Sequence, residues 1–132
     1  MSDLLGTTYD AVTYWRPFLP GGEDDADAHA RFVVAAADAY DGAAGLLRQW
    51  TVTSRAAAHA ARTADPAGRV ATQGHVLTVP DVVSTLVVEA TIHLVDAHGE
   101  PPPAAVAHPR RVLEAVYDEP LPGSGPEALR LR

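Results

Sequence analysis

A chain of 132 residues, 47% of them hydrophobic, is one domain's length and apolar enough to bury a core, which excludes a wholly disordered polypeptide. Seventeen acidic residues against ten basic ones give a formal charge of -7, so composition offers no basic face for a phosphate backbone and argues against nucleic acid as a partner. No cysteine is present, so disulfides, thiolate ligands and a thiol nucleophile of the protein's own are all excluded, and thiol chemistry here needs a borrowed thiol.

The opening MSDLLGTTYD has neither a basic nor an apolar signal region, and no later run approaches the roughly 20 apolar residues of a membrane span. A cytoplasmic chain without a membrane partner is expected. Leu4, Leu5, Tyr9, Val12 and Trp15 fall near helical spacing and predict a short helix that stops at Pro17 and the Leu19-Pro20-Gly21-Gly22 turn. The acidic cluster from Glu23 to Asp27 suits a helix N-terminus, and strong helix formers carry that helix to Tyr40. After the Asp41-Gly42 break a third helix runs through Leu46, Leu47, Trp50 and an alanine-rich stretch to Ala64, and Asp65-Pro66-Ala67-Gly68 ends it.

RVATQGHVLTV, residues 69–79, reads as an extended connection or a fragment of strand, and one such run does not make a sheet by itself. Thr78 followed by Asp81, with Pro80 tolerated in the first turn, resembles a capping box and opens the most regular helix, from about Val79 to His98, which Gly99 closes. Seven of the eleven prolines lie from Pro101 onward, which leaves RRVLEAVY (residues 110–117) as a short helix before a Gly/Pro-rich tail. The terminal EALRLR reads equally as the edge of a longer parent chain or as a frayed natural terminus. The expectation is an all-α fold in one helical domain, with bundle helices over 1–100 and a Pro/Gly-rich segment with one short helix over 101–132. The Val79–His98 helix, apolar nearly all round, is expected to be the most buried.

At 100° per residue, Glu89, His93 and Asp96 fall within an arc of roughly 60° on that helix. In one reading they are its solvent stripe, with Glu89 and His93 an ordinary i,i+4 pair. In the other, Val82, Leu86 and Ile92 share the same side and the carboxylate and imidazole point inward, where a divalent metal offsets the cost of burying them. Glu and His four apart can offer one oxygen and one nitrogen to a single ion, and Asp96 can orient the imidazole from behind.

The stretch DPAGRVATQGHVLTVPD through STLVVEATIHLVD resembles the last bundle helix and its approach in the mycothiol-dependent maleylpyruvate isomerase N-terminal domain family, within the DinB-like metalloenzymes. The E-x-x-x-H-x-x-D core carries the resemblance, which extends more loosely over YWRPFLPGGEDDADAHARFV and RRVLEAVY. It implies a DinB-like four-helix bundle holding a divalent metal, usually zinc, through a histidine of an early helix and the Glu and His matched by Glu89 and His93. A low-molecular-weight thiol such as mycothiol would add to an electrophilic substrate in isomerisation or transfer. The family's early histidine-bearing helix has no counterpart before Tyr9, so the bundle is expected to be incomplete at its N-terminus, open to association with a second copy through exposed apolar helix surface. Trp50-Thr51-Val52 followed by His59 imitates the missing motif, which makes His59 a reserve ligand.

The alternative is a non-catalytic helical bundle or partner-binding module. His29 reads as exposed, His75 as part of the connection, His98 as opposite Glu89, and His108 as a loop residue before a proline. Trp15 and Trp50 read as core or interface anchors.

Overall fold

The structure, a computed structural model, describes residues 6–19 and 26–130. It is mostly helical. In chain order it runs β1 (Thr7–Thr8), a 3-10 helix (Thr13–Phe18), α1 (Ala26–Asp38), α2 (Gly42–Thr63), β2 (Arg69–Thr72), β3 (His75–Thr78), α3 (Val79–Asp96), α4 (Pro103–Tyr117) and a second 3-10 helix (Pro126–Leu129). Two compact units divide it: Met1–Arg16 with Asp65–Arg132, and Pro17–Ala64. The turn and acidic cluster at residues 20–25 lie outside the described residues.

The expected helical class holds, and a small sheet is added to it where residues 69–78 fold back on themselves as a hairpin. β2 and β3 pair antiparallel from Arg69 opposite Thr78 to Thr72 opposite His75. The two-residue turn is Gln73-Gly74, with φ of 49° and 81°. Two successive left-handed residues twist a hairpin in the sense its strands prefer. β1 then adds parallel to the other edge of β3, giving the order β1-β3-β2. Thr7 N–H donates to Gly74 O at 3.0 Å and Tyr9 N–H to Val76 O at 2.9 Å. The approach needs glycine at position 6, where φ is +143° and a Cβ would stand 2.5 Å from Gly74 O. The short helix expected near the N-terminus is therefore a strand followed by a 3-10 helix from Thr13.

α3 begins as the sequence predicts. Thr78 Oγ1 accepts the Asp81 N–H at 3.2 Å and donates to Asp81 Oδ2 at 2.6 Å. Asp81 Oδ1 accepts Ala11 N–H at 3.2 Å, so the first-turn residue bonded to the Thr78 cap also holds the N-terminal segment. At the other end His98 N–H donates to Val95 O and Gly99 N–H to Leu94 O, a Schellman motif. The left-handed residue there is His98, with φ 60°, rather than Gly99.

α4 starts at Pro103, well before RRVLEAVY, and His108 lies inside it rather than in a loop. Proline suits a first turn, where no N–H is needed, and Pro109 deeper in the helix gives up one backbone bond while burying its ring completely. Val88 and Ile92 of α3 pack with Val106, Val112 and Leu113 of α4 and with Leu129 of the second 3-10 helix, and Trp15, Val116 and Leu121 close the edges. The tail is thus part of the core. Arg110, its side chain almost wholly covered, holds it there: the guanidinium donates to the carbonyls of Gly125 at 2.8 Å, Gly123 at 2.7 Å and Leu121 at 3.1 Å. Glu114 Oε1 accepts Leu121 N–H at 3.1 Å.

In the second unit α1 and α2 contain no buried residue among those described.

Arg110→Ala leaves four carbonyls, those of Leu121, Pro122, Gly123 and Gly125, without their donor and frees the segment that seats Leu129. Charge-assisted bonds of this kind contribute about 1.5–3 kcal/mol. Urea unfolding of the variant should show a loss of roughly that size, with Leu129 methyl resonances moving toward random-coil positions.

Candidate functional site

The two sides of α3 differ in kind. Ser84, Thr85, Val88, Thr91, Ile92 and Val95 are buried and lie on one arc of the helix, facing α4 and the core. Three are polar, and each hydroxyl is satisfied: Thr85 Oγ1 donates to Val82 O at 2.8 Å, Thr91 Oγ1 to Val87 O at 2.7 Å, and Ser84 Oγ is joined to His108 Nε2 of α4 at 2.7 Å. Small residues bonded back into their own helix let α4 approach closely without an unmet polar group.

The other side is open. Leu86, Glu89, Ala90, His93, Leu94 and Asp96 are all exposed. Glu89 Oε2 lies 3.6 Å from His93 Nε2, and the two side chains are 50% and 69% exposed. The structure brings these two residues together, but toward solvent rather than into a cavity as the inward reading of the stripe expects. Burial is taken by the Ser/Thr side, so Leu86 is left outside with them. The solvent-stripe reading describes this geometry.

Asp96 is exposed and makes no hydrogen bond to His93. Helical side chains lean toward the N-terminus, so His93 reaches back over the turn that carries Glu89 and away from the short Asp96 side chain one turn on. His59 stands exposed on α2, in the other unit, where its carbonyl accepts Thr63 Oγ1 at 3.0 Å. Among the described residues no group of three or more His, Asp or Glu side chains gathers in a way that could hold a metal ion.

Glu89 and His93 alone do fit two positions of one coordination sphere. Ligands about 2.1 Å from a tetrahedral ion stand about 3.4 Å apart. The observed 3.6 Å separation therefore needs almost no adjustment.

Two constellations were not legible in the sequence. Ser84 and His108 are 24 residues apart, and no spacing rule joins them. His75 meets the rings of Tyr9 and Tyr14 edge to face, at centroid distances of 4.9 and 5.3 Å, and its Nδ1 is buried without a hydrogen-bond partner. Both tyrosines reach it because β1 docks beside β3, a pairing that two threonines do not announce. Asp10 starts the same segment: its carboxylate accepts the N–H groups of Thr13 and Val12, and these bonds hold its pKa below the ordinary value.

Comparison of the chain with protein-family models, curated proteins and solved structures returns no match. Among the described residues no helix is long and apolar enough to cross a membrane.

The two sides of α3 predict opposite responses to mutation. Ser84→Ala leaves the ring nitrogen of the half-buried His108 without its partner and should cost about 1 kcal/mol in urea unfolding. Glu89→Gln removes a solvent-screened pair and should change stability by less than about 0.5 kcal/mol.

Proposed function

We propose that the open side of α3 is the metal-binding edge of a low-molecular-weight-thiol-using isomerase or transferase of the maleylpyruvate isomerase type, with Glu89 and His93 as two ligands of a divalent ion, zinc above all. The observation that carries this reading is the 3.6 Å separation of one carboxylate oxygen and one imidazole nitrogen, both accessible from solvent. Two ligands leave positions for a further protein ligand, water and a substrate thiol. A divalent ion held there would lower the pKa of a bound thiol such as mycothiol, the cosubstrate implied by the resemblance to this family and compatible with a chain that has no cysteine of its own.

The chain's own contributions are positioning ones. Glu89 and His93 are pre-set one helical turn apart on a rigid helix whose opposite side is locked into the core. Leu86 and Ala90 sit beside them and supply an apolar border for the carbon skeleton of an electrophilic substrate.

The openness of the pair favours a second reading, in which α3 belongs to a non-catalytic helical module and Glu89–His93 is a surface ion pair. Zinc titration of the full chain, followed through the histidine ring resonances, separates the two. The metal reading predicts weak binding that moves His93 first, is lost in Glu89→Gln and in His93→Ala, and persists in His59→Ala. Equal shifts at His29, His59, His93 and His98, or binding indifferent to Glu89→Gln, would establish the non-catalytic reading instead.

A further inference from the structure

His75 carries a ring nitrogen, Nδ1, that is covered and has no hydrogen-bond partner among the described residues. Its surroundings come from both edges of β3. The rings of Tyr9 and Tyr14 meet it edge to face, Thr7 of β1 stands beside it in the sheet on one side, and Thr72 of β2 stands on the other. Among the described residues no carboxylate pairs with the ring. The two carboxylates that hold this segment are engaged elsewhere: Asp10 accepts the N–H groups of Val12 and Thr13, and Asp81 accepts from Ala11 and Thr78.

A neutral imidazole tolerates such a position, because Nδ1 can be the nitrogen without a proton. An imidazolium does not. Both of its nitrogens carry N–H, so charging the ring buries a donor at Nδ1 that has no acceptor.

The segment that brings Tyr9 and Tyr14 to His75 is attached through few contacts, and it belongs to the same compact unit as the ring. Thr7 N–H donates to Gly74 O, Tyr9 N–H to Val76 O and Ala11 N–H to Asp81, and Trp15 packs against the edge of the core. The buried cluster of Val88, Ile92, Val106, Val112, Leu113 and Leu129 contains no residue of the segment, so residues 6–16 can leave the sheet by a local opening that spares that core.

We infer that docking of residues 6–16 is gated by a proton: neutral His75 keeps the segment on β3, and protonated His75 releases it. The inference is independent of the metal reading, since it uses neither Glu89 nor His93. Release uncovers the outer edge of β3, with the carbonyls of Gly74 and Val76 unpaired. Because the docked segment excludes a proton that the released one admits, docking is at full strength above the ordinary imidazole range, about 6.5, and weakens as pH falls through it. Each pH unit below that range lowers the docking equilibrium by up to about tenfold. Carboxylates ordinarily titrate lower, and the bonds from Thr13 and Val12 hold Asp10 lower still.

Native-state hydrogen exchange of the full chain reads the docked fraction at the Tyr9 and Ala11 amides. With the intrinsic pH dependence of exchange removed, their protection should fall about tenfold between pH 7.5 and pH 5.5, and further than that of Val88 and Ile92 in the core. His75→Phe keeps a ring against Tyr9 and Tyr14 that takes no proton, so its protection at Tyr9 should be equal at the two pH values. In Asp10→Asn the fall should persist. Protection at Tyr9 that stays constant or rises in the unmodified chain as pH drops would overturn the inference, as would a fall that survives His75→Phe.

Discussion

α3 can bury only one of its sides, although nearly all of its circumference is apolar, and the choice of side orders everything around it. The side turned inward carries Ser84, Thr85 and Thr91 among Val88, Ile92 and Val95. Their hydroxyls are bonded within the helix or to His108, so the face is both narrow and polar-satisfied, and α4 can lie close against it. Leu129 completes the same core from the far end of the chain, held there by Arg110 and the carbonyls of residues 121, 123 and 125. At the N-terminal end Asp81 joins the helix cap to Ala11. One helix thus receives the tail, α4 and the N-terminal segment.

That arrangement separates stability from chemistry. Glu89 and His93 are positioned by a helix fixed through its other face, so they can be exposed and still keep a fixed spacing. A pair in this setting contributes little to folding, because water screens it, and is correspondingly free to meet a ligand. The proposed metal edge depends on that freedom. A ligand set of Glu89 and His93 is completed by no third described carboxylate or imidazole.

The sequence was most readable where local chemistry decides the structure. Thr78, Pro80 and Asp81 announced the start of α3 because a helix terminus needs a side-chain acceptor and tolerates proline. Its end was read from Gly99, yet His98 is the residue that turns left-handed, since the Schellman bonds hold a non-glycine there. The hairpin was missed because its turn is Gln73-Gly74 rather than the Asn-Gly or Asp-Gly that usually marks two positive φ values, and β1 because two paired residues leave no pattern. The prolines from Pro101 onward leave only RRVLEAVY legible as a helix, whereas proline in a first helical turn opens α4 at Pro103. The outward direction of the Glu89–His93 pair could not come from periodicity, because a helix with Leu86 and Leu94 on one side and Val88 and Ile92 on the other has no single apolar stripe. Hydroxyl residues that bond back to their own helix decided the matter.

The claim that this face of α3 organises its unit is tested most directly by native-state hydrogen exchange resolved by residue. The account predicts that amides at Val88, Ile92 and Val95 of α3 and at Val112 and Leu113 of α4 share the greatest protection and exchange together, by opening of the whole core. It predicts that amides around Leu86 and Ala90, on the open side of the same helix, open with that unit because their backbone bonds belong to it. Independent fast exchange of α4 while α3 stays protected would contradict it, because the two helices would then not form one cooperative core.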